Sequence, residues 1–173
     1  KPAKDWNEAL PLGNGRIGAM VYGRVGEELI QLNEQTLWTG GPVNLNPNPE
    51  AANYLQPVRD ELFRDSINRA VRLLRKMQGP NTEMYQPLGD LRIRQQFSGE
   101  ITKYYRDLNI SDASATTSFT AGGVKYTRQA FISAPDQVMV IRLIASHAKA
   151  LQFTVEVAHE LQYNKKVTAD QTL

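Results

Sequence analysis

Between Leu10 and Trp38, and again from Leu88 to Ala158, short apolar runs and period-two alternation recur between glycine-bearing turns. In the first region Ile17, Ala19 and Val21 fall on one side of an extended chain, with Met20 and Tyr22 on the other. Leu29–Leu32 reads as a second short strand, and R-V-G-E supplies the turn before it. In the second region L-G-D-L-R-I-R-Q-Q-F and Y-Y-R-D-L-N-I each read as a strand. A-T-T-S-F-T and V-K-Y-T-R-Q-A-F are joined by A-G-G, the signature of a tight glycine hairpin. Q-V-M-V-I-R-L-I-A and L-Q-F-T-V-E-V-A follow, both rich in β-branched residues.

One stretch breaks this rhythm. Thr39–Pro49 (T-G-G-P-V-N-L-N-P-N-P) is loop by its Gly, Pro and Asn content. Glu50–Arg64 and Ser66–Gln78 then read as helices. In the second, Ile67, Ala70, Val71, Leu74 and Met77 recur at helical spacing and Gly79-Pro80 ends the run. The pattern as a whole predicts a mainly β fold, an antiparallel β-sandwich with a short helical pair inserted around residues 50–78.

At 173 residues the chain is long enough to bury a core without staples, and residues 1–173 are expected to form a single domain. Twenty basic against eighteen acidic residues leave a net charge of +2, too small an excess to predict a nucleic-acid partner or an acidic lipid surface. The absence of cysteine excludes disulfides, thiolate nucleophiles and cysteine metal sites, but assigns no compartment. No apolar run reaches membrane-spanning length. The chain lacks an initiating Met and ends A-D-Q-T-L without an evident closing element, so a piece of a longer protein is expected.

Candidate chemistry is sparse. Gly13, Gly15 and Gly18 have the spacing G-x-G-x-x-G, but a dinucleotide loop needs a helix to open at the third glycine. Here A-M-V-Y-G-R-V-G follows, in which two glycines argue against a helix, so the motif reads as a tight turn between strands. His147 and His159 have no matching carboxylate cluster, and no metal or cofactor is expected. Carboxylates such as Glu27, Glu28, Glu34, Asp90 and Asp107 are numerous, yet spacing along the chain does not report the separation a glycosidase pair needs. The basic residues Arg64, Arg69, Arg72, Arg75 and Lys76 read as a solvated face opposite the apolar stripe. Trp38, amid Q-L-N-E-Q-T-L-W-T-G-G-P, is placed either to stack on a sugar ring or to pack beneath its own loop.

The order of motifs carries a resemblance. W-N-E-A-L-P-L-G-N-G-R-I-G-A-M-V-Y-G (Trp6–Gly23) is followed by I-Q-L-N-E-Q-T-L-W-T-G-G-P (Ile30–Pro42) and Y-Q-P-L-G-D-L (Tyr85–Leu91). Then come Y-Y-R-D-L-N-I (Tyr104–Ile110), Y-T-R-Q-A-F-I-S (Tyr126–Ser133) and P-D-Q-V-M-V-I-R-L (Pro135–Leu143). Over essentially its whole length the chain resembles the N-terminal domain of glycoside hydrolase family 95, the inverting α-L-fucosidases. It departs from the family pattern at Tyr104–Leu108, where Y-R-R-E/D-L is common, and at Gln35, where Asp is common.

The resemblance implies a large β-sandwich of the super-sandwich type preceding an (α/α)6 barrel in a chain several times longer. The catalytic groups of such an enzyme lie in the barrel, so no catalytic residue is carried onto this chain. It implies a non-catalytic accessory domain of a bacterial periplasmic or secreted enzyme that cleaves terminal fucose from glycans. The expected partners are the barrel of the same chain and, for the parent, a fucosylated glycan. Asn14, Arg16, Asn33, Glu34 and Trp38 are the expected barrel interface or active-site rim, on account of the polar, glycine and Trp content of their segments. A free-standing carbohydrate-binding module, using exposed aromatics such as Trp38, Tyr22 or Trp6, is the alternative.

Overall fold

The structure, a computed structural model, describes residues 1–42, 44–79 and 83–166. Pro80 and the terminal A-D-Q-T-L, which the sequence reading used, lie outside the described residues. The chain divides into two compact units: Trp38–Tyr85, and Lys1–Leu37 together with the chain from Gln86 on.

The larger unit is antiparallel β throughout. Strands β1 (Leu10–Gly13), β2 (Ile17–Val21), β3 (Glu27–Glu34), β4 (Gly89–Gln96) and, last in the chain, β9 (Gln152–Ala158) form a five-stranded sheet in the order β1-β2-β3-β4-β9. A second sheet holds β5 (Ile101–Asn109), β6 (Ser114–Ala121), β7 (Val124–Ser133) and β8 (Val138–Ala145) in sequence order. The A-G-G hairpin is where the glycines place it. Ala121 pairs with Val124 across a two-residue loop, in which Gly122 and Gly123 both have positive φ.

Alternation decides which side chains meet between the sheets. Leu12, Ala19, Val21 and Ile30 from the first sheet pack against Ala115, Ala130 and Ile132 from the second in one buried cluster. A second cluster centres on Phe119, fully buried, with Tyr126 stacked at 5.4 Å and Phe97 tilted at 5.3 Å. The two sheets thus form the expected sandwich. The N-terminal segment covers part of the outer face of the first sheet, where Ala3 and Ala9 pack with Tyr22 and Leu29.

One edge of this sandwich departs from complete burial. Phe153 and Val155 on β9 stand opposite Gln95 and Ile93, both buried on the inner face, and so project to that same face. They remain 47% and 36% exposed, uncovered by the four-stranded sheet.

In the smaller unit, a 3-10 turn (Ala51–Tyr54) leads into α1 (Leu55–Phe63), and α2 (Ile67–Met77) follows after Asp65, which adopts a φ of +57°. The helix boundaries match the sequence reading to within a few residues. Asn48 ends α2: its Nδ2 donates to the carbonyls of Lys76 (2.8 Å) and Gln78 (2.9 Å), groups a helix end leaves open. The expected apolar stripe is only partly sunk. Val58 and Ala70 are buried where the two helices meet, whereas Ile67, Val71 and Leu74 stay 52%, 43% and 44% exposed. Two helices of nine and eleven residues contact along one short seam, which takes up only part of the stripe.

Candidate functional site

Four of the five residues expected at a functional rim belong to the β unit, at one end of β1, β2 and β3. The G-x-G-x-x-G motif is the β1–β2 hairpin: Gly13 pairs with Gly18, and Gly15 takes the turn with φ +91°. Asn14 builds that turn. Its Oδ1 accepts from the amides of Arg16 (3.0 Å) and Ile17 (2.8 Å), and its Nδ2 donates to the Ser133 carbonyl of the other sheet (2.9 Å). No helix starts at Gly18, which lies in β2, so the backbone offers no helix N-terminus to a phosphate.

The turn holds Arg16 beside Glu34, the last residue of β3. Arg16 Nε donates to Glu34 Oε1 at 2.9 Å, and the Arg16 carbonyl accepts from the Gln35 amide at 3.0 Å. Glu34 Oε2 accepts from the amide (2.9 Å) and hydroxyl (2.6 Å) of Thr36. The Thr36 hydroxyl and the Arg16 guanidinium hold the Glu34 carboxyl below its ordinary value. Asn33 sits one residue back, directly opposite Gly18. Asn14, Arg16 and Glu34 are therefore linked in one hydrogen-bonded turn with Asn33 beside it.

Trp38 belongs to the other unit. It forms an isolated antiparallel bridge with Tyr85, the two rings meeting edge to face at 5.0 Å and 78°. Thr39 and Met84 extend the bridge, the Thr39 amide donating to the Met84 carbonyl (2.8 Å) and the Met84 amide to Thr39 Oγ1 (2.7 Å). Trp38 is still 52% exposed. Of the other aromatics considered for sugar stacking, Trp6 is exposed but Tyr22 is not. Tyr22 is buried under Ala3 and Ala9, with its hydroxyl donating to Gln31 Oε1 at 2.8 Å. The N-terminal segment that covers it was not visible as a packing element in the sequence.

The most elaborate polar cluster lies in the sandwich interior and was missed by sequence reasoning. Arg128 on β7 and Glu28 on β3 are both almost fully buried, with Nη1 3.2 Å from Oε2. All five guanidinium N–H groups are used. Nε and Nη2 donate to Gln95 Oε1 (3.1 and 3.0 Å), Nη1 to the Arg24 carbonyl and Glu28, and Nη2 to the Val25 carbonyl. Tyr104 donates to the Gly23 carbonyl (2.8 Å) and Arg106 to that of Tyr22 (3.0 Å). Four successive carbonyls of the β2–β3 turn are thus held by side chains of the facing sheet. Glu28 Oε1 takes the amides of Gly23, Arg24 and Leu29. Burial pushes the Glu28 carboxyl up, with Arg128 and the turn amides pulling the other way, and burial lowers Arg128. Enclosed by core residues and fully satisfied, this cluster fastens the sheets together and presents nothing to a substrate.

A family model described as Glycosyl hydrolase family 65, N-terminal domain, matches residues 1–173. The chain belongs to this family. Curated relatives agree with the resemblance to the N-terminal domain of α-L-fucosidases. The chain is 34% identical over 173 aligned positions to "Alpha-L-fucosidase 2" of Arabidopsis thaliana, covering 95% of this chain and 20% of that protein. It is 34% identical over 159 positions to "Probable alpha-fucosidase A" of Aspergillus niger, covering 88% and 20%. A protein of the same name from Aspergillus oryzae is 33% identical over 143 positions, covering 79% and 20%. The chain spans about a fifth of the length of these relatives.

In this glycosyl hydrolase N-terminal domain the two histidines serve local structure. His147 Nδ1 is 3.0 Å from the Ser146 hydroxyl, and His159 binds the Pro87 carbonyl through Nε2 at 2.7 Å. Among the described residues no group of three or more His, Asp or Glu side chains is placed to hold a metal ion. The described helices include none long and apolar enough to cross a membrane.

Proposed function

We propose that this chain is the non-catalytic N-terminal sandwich of a periplasmic or secreted α-L-fucosidase-like enzyme of glycoside hydrolase family 95, and that it braces an (α/α)6 barrel of the same parent chain. The parent removes terminal fucose from glycans with inversion. In such a reaction one carboxylic acid protonates the leaving oxygen while a base activates water on the opposite face of the sugar, and both groups must be held rigidly. Those groups lie in the barrel; the sandwich contributes rigidity and a polar rim at the turn that links Asn14, Arg16 and Glu34 with Asn33 beside it. The Trp38 segment of the smaller unit is a separate candidate contact with the barrel.

The names of the relatives and their fivefold greater length support the hydrolase reading. The observation that carries the bracing role is the uncovered inner face of β9. Phe153 and Val155 sit at positions whose phase belongs to a core, yet water reaches them in this chain. Exposed apolar positions of this kind are what a further packed layer of the parent would cover. Phe153→Asp tests this in two settings. In the 173-residue chain its cost to thermal stability is modest, because about half of Phe153 is already exposed. In the parent it lowers Tm and turnover, by burying a charge against apolar surface. Equal effects in both settings would refute the bracing role.

A further inference from the structure

The outer face of the five-stranded sheet carries a cavity of about 300 Å³ at the start of β4. Gln31 on β3, Asp90 on β4 and Ala158 on β9 form one row across three strands, and the small Ala158 leaves the space open. Arg92 and the His159–Glu160 segment complete the wall.

Its polar groups are oriented beforehand. Gln31 Oε1 is engaged by the Tyr22 hydroxyl, which turns the amide so that its NH2 is the free end. Arg92 Nη1 and Nη2 lie 3.6 Å from the Glu27 and Asp90 carboxylates, while its Nε–H is buried without a hydrogen-bond partner. The His159 ring is fixed from both sides: Nδ1 accepts from the Leu161 amide (2.9 Å), so the proton is on Nε2, which donates to the Pro87 carbonyl. Gly89 closes the floor with φ +126°. A Cβ there would stand 2.8 Å from the Ala158 carbonyl oxygen and 3.2 Å from the His159 ring.

This inventory selects a ligand class. Two carboxylates against one guanidinium disfavour phosphate, sulfate or a carboxylate ligand. Both His159 nitrogens are occupied, which withholds a ring nitrogen from a metal. What remains among the lining residues are two acceptors, Asp90 and Glu160, and two donors, Gln31 and Arg92. That set matches a neutral polyol whose hydroxyls each donate and accept. The volume stands at the lower end of the range of about 300–1,000 Å³ typical of small-molecule sites, room for a single ring.

We propose that this cavity binds one neutral sugar ring of the glycan, with Asp90 and Glu160 accepting from its hydroxyls and Gln31 and Arg92 donating to them. The proposal rests on the reading that the parent acts on glycans. The test uses the full-length parent, with L-fucose and D-galactose titrated by calorimetry, and kinetics on a fucosylated oligosaccharide and on a small aryl α-L-fucoside. The expected result is a sugar site beyond the active site, lost in Asp90→Asn/Glu160→Gln and in Ala158→Leu, which fills the cavity. For the oligosaccharide these variants raise KM about tenfold, the size of lost hydrogen bonds to charged groups, with kcat unchanged. Both constants for the aryl fucoside stay as in wild type. A single sugar site per chain, or an oligosaccharide KM within about twofold of wild type in both variants, overturns the proposal. If the parent cleaves no α-L-fucoside, the function proposed above fails, and the sugar titration alone then decides the cavity.

Discussion

Replacing Arg128 with Met removes a buried guanidinium while nearly keeping its volume, and so isolates the polar network between the sheets. The change strands the Glu28 carboxylate beside the turn amides and leaves Gln95 Oε1 and the Arg24 and Val25 carbonyls without their donors. Breaking a buried ion pair from one side costs about 3–5 kcal/mol, a large part of the about 5–15 kcal/mol by which a domain is stable. Adding Glu28→Gln to Arg128→Met removes the stranded charge but keeps an oxygen for the Gly23, Arg24 and Leu29 amides. The double variant is therefore more stable than Arg128→Met, and with Glu28→Gln alone completing the cycle the coupling comes to about 0.5–3 kcal/mol. The pH dependence has a definite sign. Burial raises the Glu28 carboxyl above its ordinary value of 4.5, and Arg128 is the largest influence opposing that shift. A carboxyl with a raised folded pKa contributes stability that is present below its unfolded pKa and lost as pH rises through the folded one. Arg128→Met raises Glu28 further, so its deficit against wild type grows as pH rises through the wild-type folded Glu28 pKa, which lies above 4.5, and is smaller below that. Urea unfolding followed by circular dichroism between pH 4 and 7.5 reads all three quantities. A single variant within about 1 kcal/mol of wild type, or strictly additive variants, would refute the clamp.

Asn14→Ala loses two turn hydrogen bonds and the link to the Ser133 carbonyl, at a cost of about 2 kcal/mol in urea unfolding. Asn14→Asp, which keeps the turn acceptors, costs less. Glu34→Gln tests the exposed pair at the rim. The folded Glu34 pKa is depressed by Thr36 and Arg16, so its contribution is present above the unfolded pKa and lost as pH falls through the folded one. The Tm difference between Glu34→Gln and wild type is accordingly small at pH 7, and it vanishes at low pH. Phe153→Asp separates the lone chain from the parent, as set out above, and differential scanning calorimetry on both proteins reads it.

Much of the sandwich is legible in the sequence because sheet registers reward alternation. Ile17, Ala19 and Val21 keep the phase assigned to them, and A-G-G forms the hairpin that glycine permits. The helical pair is equally visible in its boundaries, but its stripe misleads. Ile67, Val71 and Leu74 have core periodicity yet stay half-exposed. Burial depends on what faces an element, which periodicity does not encode. The Glu28–Arg128 clamp escaped for a related reason, since the partners lie a hundred residues apart. A signal did exist: Arg128 falls in phase with Tyr126, Ala130 and Ile132, and Glu28 with Ile30 and Leu32. Opposite charges at inward phases of two strands point to a buried pair. Asn14, Arg16 and Glu34 stood out by the polar and glycine content of their segments, and the β1–β2 hairpin joins them because Asn14 closes the turn and β3 pairs beside it. The cavity at Asp90 draws on Gln31, Arg92 and His159 from distant segments, and only the sheet order brings them together.

The division of labour between this chain and its parent is tested most directly by fucose release from para-nitrophenyl α-L-fucoside. Three proteins are compared: the parent, residues 1–173 alone, and the parent lacking them. The account predicts turnover by the parent with the β anomer of fucose appearing first in the NMR spectrum, none by residues 1–173, and a sharp loss in the shortened parent. Turnover by residues 1–173 alone, or a parent inert toward α-L-fucosides, would contradict it.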